Sequence, residues 1–159
     1  MSTTPTHILA SGAPEGFDAS LVLRELEQGG VPVVHVARDD KRLAAMARAL
    51  AFFDPTVPVL TFPGWDCLPY DRVSPNPEIS ATRMATLAAL AGGLTGPFIL
   101  LTTLNAATQY VPPRDLLRSS AFVATVGGRI DEGALKDFLV RMGFSQTPTV
   151  TEPGDYAVR

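Results

Sequence analysis

With 159 residues, 46% hydrophobic and 18% charged, the chain is long enough to bury a core without a disulfide framework. Its single cysteine, Cys67, excludes an internal disulfide or a cysteine-rich metal cluster and suits a reducing cytoplasm; no apolar run reaches the roughly 20 residues that span a bilayer, and Met1–Thr6 lacks a signal-peptide pattern. A formal charge of −3 gives no basic excess for neutralising phosphates, so autonomous nucleic-acid binding has no compositional support and proteins are the expected partners.

Short apolar runs alternate with amphipathic stretches, the pattern of βα units around a mainly parallel sheet. Strands are expected at His7–Ala10, Pro32–Ala37, Val57–Phe62 and Phe98–Thr102. Asp18 stands where it would cap a helix over Ala19–Gln28. A second helix, Asp39–Phe53, places Leu43, Met46, Ala47 and Leu50 on one face, with Asp39 or Asp40 as its cap. A third, Glu78–Ala91, puts Met84, Leu87 and Ala91 on its inner stripe and stops at Gly92-Gly93. Residues 1–113 therefore read as an open α/β domain. After Val111-Pro112-Pro113 the character changes, and residues 114–159 read as the start of a smaller α+β module. There a short helix carries Leu116 and Leu117, Phe122–Val126 is a strand, and Asp131 caps Glu132–Met142, which buries Leu135, Phe138, Leu139 and Met142 and stops at Gly143. Thr149–Thr151 and the opening of a strand at Tyr156–Arg159 follow, an ending in mid-strand that suggests a piece of a longer protein.

A nucleotide-binding α/β domain keeps its chemistry in the loop between the first strand and the first helix, here Ser11–Asp18. A working P-loop needs a lysine for the β and γ phosphates and a hydroxyl for magnesium, and where these would stand Phe17 and Asp18 supply neither. Gly12 and Gly16 keep the glycine-rich character, while Glu15 and Asp18 would repel a phosphate. The loop is either a degenerate phosphate site closed by its own acids or an ordinary Gly/Pro-rich turn, and both readings predict no ATP binding. His7 and His35 lie in expected strands without metal-ligand spacing, Cys67 has no neighbouring histidine, and Asp39-Asp40 and Asp131-Glu132 are explained as caps. Neither catalytic nor metal-binding residues are expected.

The most distinctive segment is Phe62–Ile79, with prolines at 63, 69, 75 and 77 around Trp65 and Tyr70. Proline fixes φ and removes donors, so this is an extended, semi-rigid loop, and Trp65, Leu68 and Tyr70 would serve to cover the sheet edge. Pro63 to Leu87 resembles the corresponding part of bacterial transcription-repair coupling factors (Mfd). The resemblance continues through Phe98–Thr103, Val126–Asp131 and Glu152–Arg159.

That resemblance implies UvrB-like domains at the N-terminus of a much longer protein, the first with its P-loop lost, which favours the closed-site reading of Gly12, Gly16, Phe17 and Asp18. It implies a non-catalytic role in transcription-coupled nucleotide excision repair: recruitment of UvrA through the second module, with Arg159, ending a Tyr-Ala-x-Arg segment, as the matching contact. Further UvrA contacts would lie beyond Arg159, so binding by this chain alone should be weak or absent. ATP and magnesium, RNA polymerase and double-stranded DNA would belong to downstream domains of the full-length family protein, with no membrane involved. UvrB itself carries an intact P-loop and inserts a DNA-probing hairpin after its counterpart of Tyr70-Asp71. Here only a few residues separate Asp71 from the Glu78 helix, leaving no room for it. The alternative is a stand-alone nucleotide- or sugar-phosphate-binding α/β enzyme whose ligand sits at the strand C-termini without a P-loop.

Overall fold

The computed structural model describes residues 9–68, 70, 72–151 and 154–158, which form two compact units, Met1–Val111 and Pro112–Arg159. In the first unit, β1 (Val33–Ala37), β2 (Val59–Phe62) and β3 (Ile99–Thr103) make a parallel sheet in the order β1-β3-β2, with Val33, Ile99 and Val59 in register. The central strand is the most buried, since a parallel sheet takes its apolar cover from helices. Helix α1 (Phe17–Gly29) contributes Ala19, Leu23 and Leu26 to that cover, and α2 (Asp40–Phe53) contributes Leu43, Met46 and Leu50, all packed with Ile99 and Leu101. Asp39 caps α2 as expected, its carboxylate accepting from the Arg42 N–H at 2.8 Å. β2 starts two residues later than expected because Pro58 has no N–H for the ladder, although its carbonyl accepts from Ile99 N–H at 2.9 Å.

Alternation along β2 sends Phe62 to the other face, against α3 (Pro77–Gly92). This helix opens with Pro77 behind an Asn76 cap and ends at Gly93, whose φ of 82° needs no Cβ. Its inner face differs from the expected one: Arg83 and Thr86 are buried with Ala91, whereas Met84 is 44% exposed. The end of β2 offers carbonyls to this helix, so polar side chains that can donate to them face inward. Thr103 caps the single turn α4 (Leu104–Ala107). Of the predicted strand His7–Ala10, His7 and Ile8 lie outside the described residues, and Leu9 and Ala10 are exposed and belong to no strand.

In the second unit, α5 (Arg114–Ser119) buries Leu117 but leaves Leu116 exposed. Phe122–Val126 is not a strand: Val123 and Val126 are exposed, and the chain turns at Thr125–Gly128 with a 2.9 Å Gly128 N–H to Thr125 carbonyl bond. Among the described residues no strand pairs with it, so its β propensity goes unused. Helix α6 (Glu132–Arg141) has the expected Asp131 cap, accepting from Ala134 N–H at 3.0 Å. Leu135, Phe138 and Leu139 are half-buried, the Phe138 ring 5.5 Å from that of Phe122, while Met142 is exposed, so the expected inner face is only partly covered. β4 (Ser145–Gln146) pairs with β5 (Asp155–Tyr156), and Thr149–Thr151 forms no strand: Thr151 instead donates its N–H and hydroxyl to the Asp155 carboxylate. Among the described residues, no helix is long and apolar enough to cross a membrane.

Candidate functional site

The glycine loop before α1 is assembled differently from the expectation that Asp18 caps the helix. Gly16, at φ 87°, is the N-cap and contributes no side chain; helix α1 begins one residue before Asp18, whose Oδ1 accepts from the adjacent Ala19 N–H at 3.1 Å. Two donors at the helix start have partners in the loop: Phe17 N–H donates to the Pro14 carbonyl at 3.1 Å and Ala19 N–H to the Gly16 carbonyl at 3.2 Å. Ser20, the hydroxyl nearest the turn, donates back to the Phe17 carbonyl at 2.7 Å. The acids meet a cation from the next helix, with Arg42 3.6 Å from Glu15 and 3.7 Å from Asp18. These exposed pairs add little stability, but they put the guanidinium and both carboxylates over the helix start.

Beyond Asp18 and Arg42 lies an open cavity of about 440 Å³ at the C-terminal end of β1, lined also by His35, Val36, Ala37 and Arg38. Burial holds the His35 imidazole below its ordinary pKa, while Asp18 pulls it up and Arg42 pushes it down. Arg38 is engaged with Asp39 at 3.1 Å. Among the described residues, no group of three His, Cys, Asp or Glu is placed to hold a metal ion.

The proline-rich segment after β2 is anchored at its start. Three successive carbonyls accept from side chains: Thr61 from Thr86 Oγ1 at 2.6 Å, Phe62 from Thr102 Oγ1 at 2.9 Å, and Pro63 from Arg83 Nη1. Gly64 is buried where a Cβ would stand 3.4 Å from Asn105 Nδ2. Farther along, the Asp66 carboxylate accepts from Asn76 N–H at 3.2 Å, closing the segment onto the start of α3. Leu68 and Tyr70 are exposed, so neither covers the sheet edge as expected, and Tyr70 has a left-handed φ of 73°. Trp65 is half-buried and lines a cavity of about 500 Å³ with Cys67, Leu68, Pro75 and residues 108–110. Arg83 was not legible as a site residue. The available signal was an arginine inside an apolar helix stripe, downstream of two aromatic side chains with faces to offer.

In the second unit, α6 and β5 enclose a groove of about 300 Å³ lined by Leu135, Leu139, Tyr156, Ala157 and Val158, with the Glu132–Lys136 pair, 3.8 Å apart, on the same surface. Arg159, the expected partner contact, follows Val158 directly in sequence and lies outside the described residues. The structure thus brings Gly16 and Asp18 together with Arg42, starts α1 at an exposed Phe17, and leaves Gly12 in the loop at φ 71°.

No family model matches the chain. The transcription-repair-coupling factor of Escherichia coli (strain K12) is 31% identical over 141 residues, covering 89% of this chain and 12% of that protein. That of Myxococcus xanthus is 34% identical over 134 residues, covering 80% of this chain and 11% of the relative. The Haemophilus influenzae protein is 28% identical over 153 residues, covering 96% of this chain and 13% of its own length. The chain is thus similar to one stretch of the transcription-repair-coupling factors, a stretch that is 11% to 13% of the length of these relatives.

Proposed function

We propose that this chain is a non-catalytic, partner-binding part of a transcription-repair-coupling factor and that its partner is the excision-repair protein UvrA. The observation that carries the reading is the match to coupling factors over 80% to 96% of the chain. The loop before α1 supports the non-catalytic part: the Phe17 and Ala19 N–H groups at the helix start have protein acceptors, and Glu15 and Asp18 stand with Arg42 beside them. ATP hydrolysis with magnesium, RNA polymerase binding and double-stranded DNA binding are assigned to other parts of the longer family protein. The UvrA contact is assigned to the second unit, on the apolar groove between α6 and β5 and on Arg159 beside it in sequence. A groove rimmed by an ion pair suits a protein surface better than a phosphate ligand.

The test is a pull-down with purified UvrA, using the chain extended beyond Arg159 with the residues that follow in the longer family protein. The extended polypeptide should retain UvrA, the 159-residue chain should retain it weakly or not at all, and Arg159→Glu should reduce retention. No retention by the extended polypeptide would defeat the partner assignment. A nucleotide- or sugar-phosphate-binding enzyme is the competing reading, and the cavity beside His35, Arg38 and Arg42 is where its ligand would sit.

A further inference from the structure

Arg83 is 2% exposed, yet no carboxylate pairs with it among the described residues. Its guanidinium carbon lies 4.1 Å from the centroid of the Phe62 ring and 4.3 Å from that of Trp65. One nitrogen, Nη1, donates to the Pro63 carbonyl, and Nε is buried without a partner. A buried cation is costly unless negative potential surrounds it, and here two aromatic faces and one backbone carbonyl supply that potential. A planar guanidinium can meet both rings and donate in its own plane at once, whereas an ammonium has no plane to stack. The three groups span the end of β2, the start of the proline-rich segment and the second turn of α3.

We propose that Arg83 is a positioning residue acting through Trp65: clasped between Phe62 and Trp65, it fixes the indole as a wall of the 500 Å³ cavity and sets the path of the chain from Pro63 onward. The bonds from Thr86 to the Thr61 carbonyl and from Thr102 to the Phe62 carbonyl hold the strand end, and Arg83 extends that hold past the last strand residue to Pro63. The charge and the plane of the side chain do this, in contrast to a core position where apolar volume alone would suffice.

Trp65 is the only tryptophan in the chain, so its fluorescence reports this site without interference. Arg83→Met keeps much of the volume and removes both charge and plane, while Arg83→Lys keeps the charge alone. With far-UV circular dichroism confirming that the helices remain, Arg83→Met should shift Trp65 emission to the red and raise its acrylamide quenching constant about two-fold or more, with Arg83→Lys between it and the parent chain. Parent-like emission and quenching in a folded Arg83→Met chain would overturn the proposal, because apolar filling would then be enough. If Arg83→Met does not fold, Arg83→Lys decides: raised quenching in a folded chain supports the clamp, and parent-like quenching refutes it.

Discussion

Mg-ATP is expected to leave the thermal unfolding of this chain unchanged. In a P-loop the helix-start N–H groups are free to point at phosphate oxygens, but here Phe17 and Ala19 donate within 3.1 to 3.2 Å to Pro14 and Gly16, and Asp18 also accepts from Ala19. The nearest guanidinium, Arg42, is shared by Glu15 and Asp18, so a phosphate would have to compete with two carboxylates for it. A site that bound ATP would behave very differently. Ligand at 100 times its dissociation constant stabilises the native state by about 2.7 kcal/mol. For a unit of this size that corresponds to a rise in Tm of roughly 10 °C or more. Differential scanning fluorimetry over a nucleotide series from micromolar to millimolar resolves such a shift easily. A saturable rise of several degrees with ATP or ADP would refute the closed-loop reasoning and favour the enzyme reading.

Leu50 is fully buried among Met46, Ile99 and Leu101, so Leu50→Ala should cost about 2 to 5 kcal/mol, seen as a lower urea midpoint with an unchanged slope. A loss well under that range would mean that α2 does not seal the sheet as described. His35 gives a pH test whose sign follows from its depressed folded-state pKa: the unfolded chain binds the proton more readily, so the contribution is complete above the ordinary value of 6.5 and is lost as pH falls from there through the folded-state pKa. Urea midpoints on either side of pH 6.5 should show the decline in the parent chain and a flatter profile in His35→Gln; identical profiles would remove His35 as the cause.

The elements that were legible in the sequence are those whose stability is local. Asp39 and Asp131 cap their helices, and Leu43, Met46 and Leu50 repeat at helical spacing, because a cap and an amphipathic stripe depend on residues a few positions apart. Tertiary context governed the rest. Phe122–Val126 has strand-forming residues but no strand paired with it among the described residues, and α3 turns Arg83 and Thr86 inward because the end of β2 presents carbonyls and rings that no local pattern reveals. At the candidate phosphate loop the missing lysine was visible at once, yet the part played by Arg42 was not, since it arrives from the next helix. Asp18 illustrates the limit of reading caps by residue type: Gly16, with its left-handed φ, starts the helix earlier and leaves Asp18 inside the first turn.

On the proposed function, the second unit binds UvrA. Its most direct test is equilibrium binding of purified UvrA to the polypeptide extended beyond Arg159, measured alongside Arg159→Glu. Saturable binding is expected, weakened by the substitution while circular dichroism is unchanged. Absence of binding by the extended polypeptide would contradict the claim; binding that the substitution leaves intact would remove Arg159 from the contact.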